Sequence, residues 1–218
     1  MAVANLAKIV DRYKQDSESV YNTWFINNDT RMAAFPSIER GVIDVIASIE
    51  NSTFGHDFKG SPLEYVLNCI VEQKQIFKGA AHAFYWKPKL GIPDIYENEE
   101  NQRAFGRFLK ACLTANSADR IVEEINQLNL YGIKGLGPAV ANILYFLHPK
   151  IMSPSNTAIV NGYNAIFTDK KKLGCWQHYF EMRELIVKTN EELKPELSKD
   201  LGALSGLLFD VGVGKIAL

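Results

Sequence analysis

The chain has 218 residues, 47% hydrophobic and 22% charged, an ordinary globular balance with enough apolar material for a substantial core. Its 24 Lys and Arg against 25 Asp and Glu give a net charge of −1, which excludes the uniformly basic surface of a dedicated nucleic-acid binder. No apolar run approaches the roughly 20 residues of a membrane span, and the three scattered cysteines, Cys69, Cys112 and Cys175, fit neither a disulfide framework nor a zinc or iron–sulfur spacing.

Along the chain, helical periodicity recurs and period-two alternation is scarce. Asn5–Tyr13 and Ser17–Trp24 read as one or two N-terminal helices, followed by a break at Asn27-Asn28-Asp29. Pro36-Ser37 reads as the entry to a helix over Ile38–Ile49, and residues 51–57 as a loop by composition. Ser61-Pro62-Leu63-Glu64 supplies a capping serine, a first-turn proline and a first-turn acid, a strong helix start. The helix it opens, from Leu63 to Cys69 or Gln75, is apolar on most sides and is expected to be buried. Gly91-Ile92-Pro93 makes a connection, and Phe105–Leu113 and Ala118–Leu128 are amphipathic helices. Further helical signals fall at 157–167, 176–189 and 193–209, the last weakened by Gly202 and Gly206. The pattern predicts an all-α protein of about ten helices.

Residues 133–147 carry the most information. Ile133-Lys134-Gly135-Leu136-Gly137 is a tight glycine turn leading into an apolar helix that Pro138 opens and that runs toward Leu147. Glycine takes backbone angles closed to other residues and leaves no side chain in a ligand's way. Proline fits the first helical position, where its missing N–H costs nothing. The outward amides at the positive end of the helix dipole suit a phosphate. A corner whose glycines serve packing alone fits the same residues.

Other residues carry less. Lys74 with Lys78, Lys87 with Lys89, and Lys170-Lys171-Lys172 are short basic runs offset by acidic ones. His56, His82, His148 and His178 are dispersed, and no metal or cofactor is expected. Glu72 and Asp210 are the spare acids near segments that reach a cleft, and Tyr85-Trp86 is either a base-stacking pair or core. Phe209–Lys215 lacks the spacing of a Walker motif. Met1–Lys8 has no basic flank before a long apolar stretch, so no signal peptide is expected and the setting is read as intracellular and reducing.

Three stretches in order resemble one family, the endonuclease III-like helix-hairpin-helix DNA glycosylases, here without the iron–sulfur cluster. They are Pro62-Leu63-Glu64 running on to Gln73-Lys74-Gln75, the hairpin, and Pro154-Ser155-Asn156-Thr157-Ala158-Ile159-Val160, which is similar to the family's Pro-Val-Asp-Thr-His-Val segment. The resemblance implies a two-domain helical fold with an interdomain cleft. One domain is 56–149; the other joins 1–55 with 150–218. The partner it implies is double-stranded DNA bearing a damaged or modified base, bound by a monomer and rotated out of the duplex. By the same resemblance Lys134, Gly135, Gly137, Ala139 and Val140 hold the DNA backbone. Gln73 fills the gap left by the base with Lys74 beside it, Ser155 and Thr157 line the base pocket, and Asn156 holds the catalytic position.

Two departures shape the expected chemistry. Ala139 stands where bifunctional members carry the Schiff-base lysine, so no lyase activity is expected. Asn156 stands where the family has its aspartate, and an amide is neither charged nor a general base at neutral pH. Asn156 is native to an enzyme needing less charge, native to a protein that does not cleave, or a substitution; a plain N-cap role fits all three. The expected function is a monofunctional DNA glycosylase that hydrolyses the N-glycosidic bond. The alternative is a non-catalytic helix-hairpin-helix protein that recognises damaged or modified bases.

Overall fold

A computed structural model describes residues 3–26, 31–72, 82–88, 91–193 and 197–218. It is all-helical, about two thirds helix, with no strand among the described residues. In chain order these are α1 (Val3–Gln15), a π-helical turn (Tyr21–Ile26), α2 (Arg31–Glu50), α3 (Pro62–Val71), α4 (Pro93–Tyr96), α5 (Glu99–Thr114) and α6 (Ala118–Asn129). A 3-10 turn (Pro138–Val140) then leads into α7 (Ala141–Leu147), α8 (Thr157–Ile166), α9 (Trp176–Leu193) and α10 (Leu201–Gly212).

The local signals account for most boundaries. Ser61 Oγ accepts the Glu64 N–H at 3.2 Å to start α3, and Asn98, Ser117, Asn156 and Asp200 cap α5, α6, α8 and α10 in the same way. Three expectations are revised. α2 begins at Arg31 and runs through Pro36 rather than starting at it. One predicted helix over 193–209 is instead the end of α9 and a separate α10, because the Asp200 carboxylate accepts the Gly202 N–H at 2.8 Å and starts a new helix. α3 buries Leu63, Val66, Leu67 and Ile70 but leaves Tyr65 47% exposed, so it is one-sided, not buried all round.

α2 packs on α3, α5 and α7. α8 packs most extensively on α10. That crossing needs glycine. A methyl on Gly162 would lie 1.7 Å from the Leu208 carbonyl oxygen, and one on Gly212 would lie 1.8 Å from that of Ala158. Buried side chains from Leu6 to Ile216 join into one apolar core. At its middle Phe84 stacks on Tyr145, with centroids 5.0 Å apart and planes at 11°, and Trp24 lies 4.7 Å from Phe84. The Tyr145 hydroxyl donates to Asp200 Oδ1 at 2.9 Å, which ties α7 to the head of α10.

Candidate nucleic-acid interface

The hairpin is built by alternating burial. Ile133 and Leu136 are buried, while Lys134 and Gly135 are exposed and Gly137 is half-buried. Gly135 has φ +93°, a left-handed angle that strains any side chain, so its role is conformational. Gly137 differs: its φ of −85° and ψ of −165° are open to any residue, and nothing lies within 4 Å of where a Cβ would sit. Its missing side chain leaves open space over the backbone. Among the described residues, the N–H groups of Gly135, Gly137 and Ala139 have no hydrogen-bond acceptor. The Lys134 N–H is taken, donating to Asp94 Oδ2 at 3.0 Å. That carboxylate sits beside the open amides and weakens their pull on an anion. Pro138 and Val140 are buried, so Val140 contributes packing while Ala139 is half-buried at the turn's edge.

Asn142 connects this hairpin to the segment before α8. It is fully buried and its Nδ2 donates both to Ala139 O at 2.8 Å and to Ser155 O at 2.7 Å. Its Oδ1 has no partner among the described residues. Hairpin and residue 156 are thereby held as one unit.

Asn156 is itself heavily engaged. Its Oδ1 accepts the Ile159 N–H at 3.0 Å and so caps α8. Its Nδ2 donates to Ala83 O at 3.0 Å and, more weakly, to His82 O at 3.4 Å. Both ends of the amide do structural work that the segment 82–84 and α8 depend on. Ser155 is buried at 2% exposure and meets the hairpin through its carbonyl, whereas Thr157 is exposed. Gln73 and Lys74 lie outside the described residues.

The remaining titratable candidates serve the fold. Asp210 is buried in α10, and its Oδ2 accepts the Val20 N–H at 2.8 Å. Burial pushes its carboxyl up to about 6 against the pull of that bond and of Lys215. Glu72 is exposed at the end of α3. His82 is buried, accepts the Phe84 N–H at 3.2 Å, and has its pKa lowered to about 4 by desolvation, so it is neutral at pH 7. His148 bonds the Cys112 carbonyl at 2.6 Å and His178 accepts the Lys172 N–H at 2.8 Å. Among the described residues no cluster of three potential metal ligands forms. In the basic run 170–172, Lys171 pairs with Asp169 and Glu181, and Lys170 bonds carbonyls at the end of α8. Phe84 and Trp86 are core, and Tyr85 is half-buried with its ring edge-on to His82.

Sequence reasoning missed Asp94, Asn142 and Arg107. Asp94 and Asn142 act through contacts with loops distant in the chain, which no local pattern announces. Arg107 donates to the Tyr131 hydroxyl at 2.8 Å, just ahead of the hairpin. No family model, curated protein or solved structure matches this chain. No helix among the described residues is long and apolar enough to cross a membrane.

Proposed function

We propose that this protein binds duplex DNA through the hairpin 133–140, on the two-domain plan of the helix-hairpin-helix glycosylases, and recognises a damaged or modified base without hydrolysing it. The observation that carries the binding is the open space over Gly137 beside the unpaired N–H groups of Gly135 and Ala139. A phosphate oxygen needs donors without a protein acceptor and room to approach, and this turn offers both. The observation that favours recognition over turnover is the bonding of Asn156. Its amide is committed to two carbonyls and one helix cap, and it carries no charge to offset an oxocarbenium-like transition state.

A second reading, the monofunctional DNA glycosylase, is supported by the Asn142 bridge. Rigid linkage of the phosphate grip to residue 156 is what base excision would require, since a small misplacement of the reacting bond is costly. Ala139 leaves direct hydrolysis by water as its route, with no lyase step.

One experiment addresses both. Gly137→Ala sits at backbone angles open to alanine and meets no neighbour, so stability is expected to hold while a methyl obstructs the amides. Affinity for a duplex carrying a modified base is expected to fall about tenfold. Unchanged affinity would remove the hairpin from the interface. The same duplexes, incubated with the unaltered chain and treated with alkali, are expected to stay intact; strand breaks at the modified base would establish the glycosylase reading.

A further inference from the structure

A hollow of about 410 Å³ lies between the end of α2, the turn 52–56 and one face of α5, lined by Ile49, Ser52, His56, Gln102, Arg103 and Arg107 among others. Its volume falls within the range of small-ligand sites. Gly106 leaves this face of α5 without a side chain; a methyl there would lie 3.0 Å from Ile49 Cγ2. Gln102 is 8% exposed and donates to the Gly55 carbonyl at 2.9 Å, which fixes the turn over the hollow.

Charge around the hollow is unevenly matched. Glu99 pairs with Arg103 at 2.7 Å and Glu50 with Lys110 at 2.6 Å. Arg107 has no carboxylate partner among the described residues. It donates to the Tyr131 hydroxyl at 2.8 Å and its guanidinium carbon lies 5.9 Å from that ring's centroid. Tyr131 is 41% exposed and stands two residues ahead of Ile133, where the hairpin begins. Arg103, Arg107 and Lys110 are all exposed and share one face of α5 at helical spacing. A cation pre-oriented by a tyrosine just ahead of the hairpin and left without an acid partner suits one anion. A guanidinium fork matches phosphate oxygens better than an ammonium does.

We propose that this hollow is a second phosphate seat for the DNA strand gripped by the hairpin, with Arg107 as its cation and Tyr131 as its positioning residue. The inference rests on the hairpin reading, since it supplies the positive charge that the neutral chain and the Asp94 carboxylate deny to the hairpin itself. Tyr131 links the two places, bonding Arg107 at the hollow and standing two residues ahead of Ile133 in the chain.

The test is the affinity of the full chain for a labelled duplex, measured across salt concentrations for the unaltered protein, Arg107→Ala, Arg107→Lys, Tyr131→Phe, Gly137→Ala and, as a control, Lys8→Ala on α1. Loss of one phosphate contact is expected to lower the slope of log affinity against log salt by about 1 in Arg107→Ala, with affinity down about tenfold. Arg107→Lys is expected to restore the slope and only part of the affinity, because the charge returns and the fork does not. Tyr131→Phe is expected to keep the slope and weaken binding by less, and Lys8→Ala to match the unaltered chain. If Gly137→Ala weakens binding while Arg107→Ala keeps both slope and affinity, the second seat is wrong and the hairpin reading stands. If the unaltered chain shows no salt-sensitive affinity, the hairpin reading falls and the seat with it.

Discussion

At the scale of single residues, Asn156 shows how one side chain separates binding from chemistry. Aspartate at this position would keep the acceptor for the Ile159 N–H, since both residue types cap helices well. It would lose both N–H donations and set a negative charge against the carbonyl oxygens of His82 and Ala83. Asn156→Asp is therefore expected to cost about 1–3 kcal/mol in urea unfolding, the range for a buried polar group stripped of its partner. It is also expected to produce no alkali-labile sites in duplexes carrying modified bases. Strong excision by this variant would identify position 156 as the catalytic position of a scaffold that the native amide silences. The sequence alone shows that an amide stands where an acid is expected. It does not show what the amide holds, because residues 82 and 83 come to Asn156 from over seventy positions away.

At the scale of elements, the packing of α8 on α10 depends on backbone meeting backbone. Gly162 and Gly212 have ordinary helical surroundings in the sequence, and nothing local distinguishes them from tolerated helix glycines. In the fold, each faces a carbonyl oxygen closer than any Cβ can approach. Gly162→Ala is expected to force the helices apart and cost about 3 kcal/mol or more, beyond the small helix-propensity gain of alanine. Thermal unfolding of this variant against Gly137→Ala checks the claim, since the latter adds the same methyl into open space. Equal midpoints would show that the crossing can relax. Helix starts, by contrast, were readable in advance where a cap stood out: Ser61 and Asn156 cap α3 and α8 through their own side chains and the amides three residues on. The early start of α2 was not, because the sequence signal at Pro36 is that of a helix entry and the structure carries the helix through it.

At the scale of the whole molecule, stability carries a pH dependence written by Asp210. Its carboxyl is raised to about 6 by burial, while in the unfolded chain an aspartate titrates near ~3.9. Between these values the folded state holds a proton that the unfolded state has released. His82, lowered to about 4, contributes the opposite slope over the same range, but the share of stability that Asp210 supplies is fully present below about pH 4, is lost as pH rises toward 6, and stays absent above it. Asp210→Asn, which keeps an acceptor for the Val20 N–H, is expected to remove this slope and add about 2–3 kcal/mol at pH 7, with no gain at pH 4. Urea titrations at several pH values measure it; parallel curves for the two proteins would sink the assignment.

Helix content, the hairpin and most helix caps follow from residues adjacent in the chain, because capping, turn geometry and helical periodicity are short-range physics. Tertiary structure decided the rest: that Asn156 is bound on both sides, that Asp94 occupies the Lys134 amide, that Arg107 leans on Tyr131, and that Asp210 is buried. Each depends on a partner at least twenty positions distant in the chain, and a side chain's charge, freedom and use are set by the neighbours that folding brings to it.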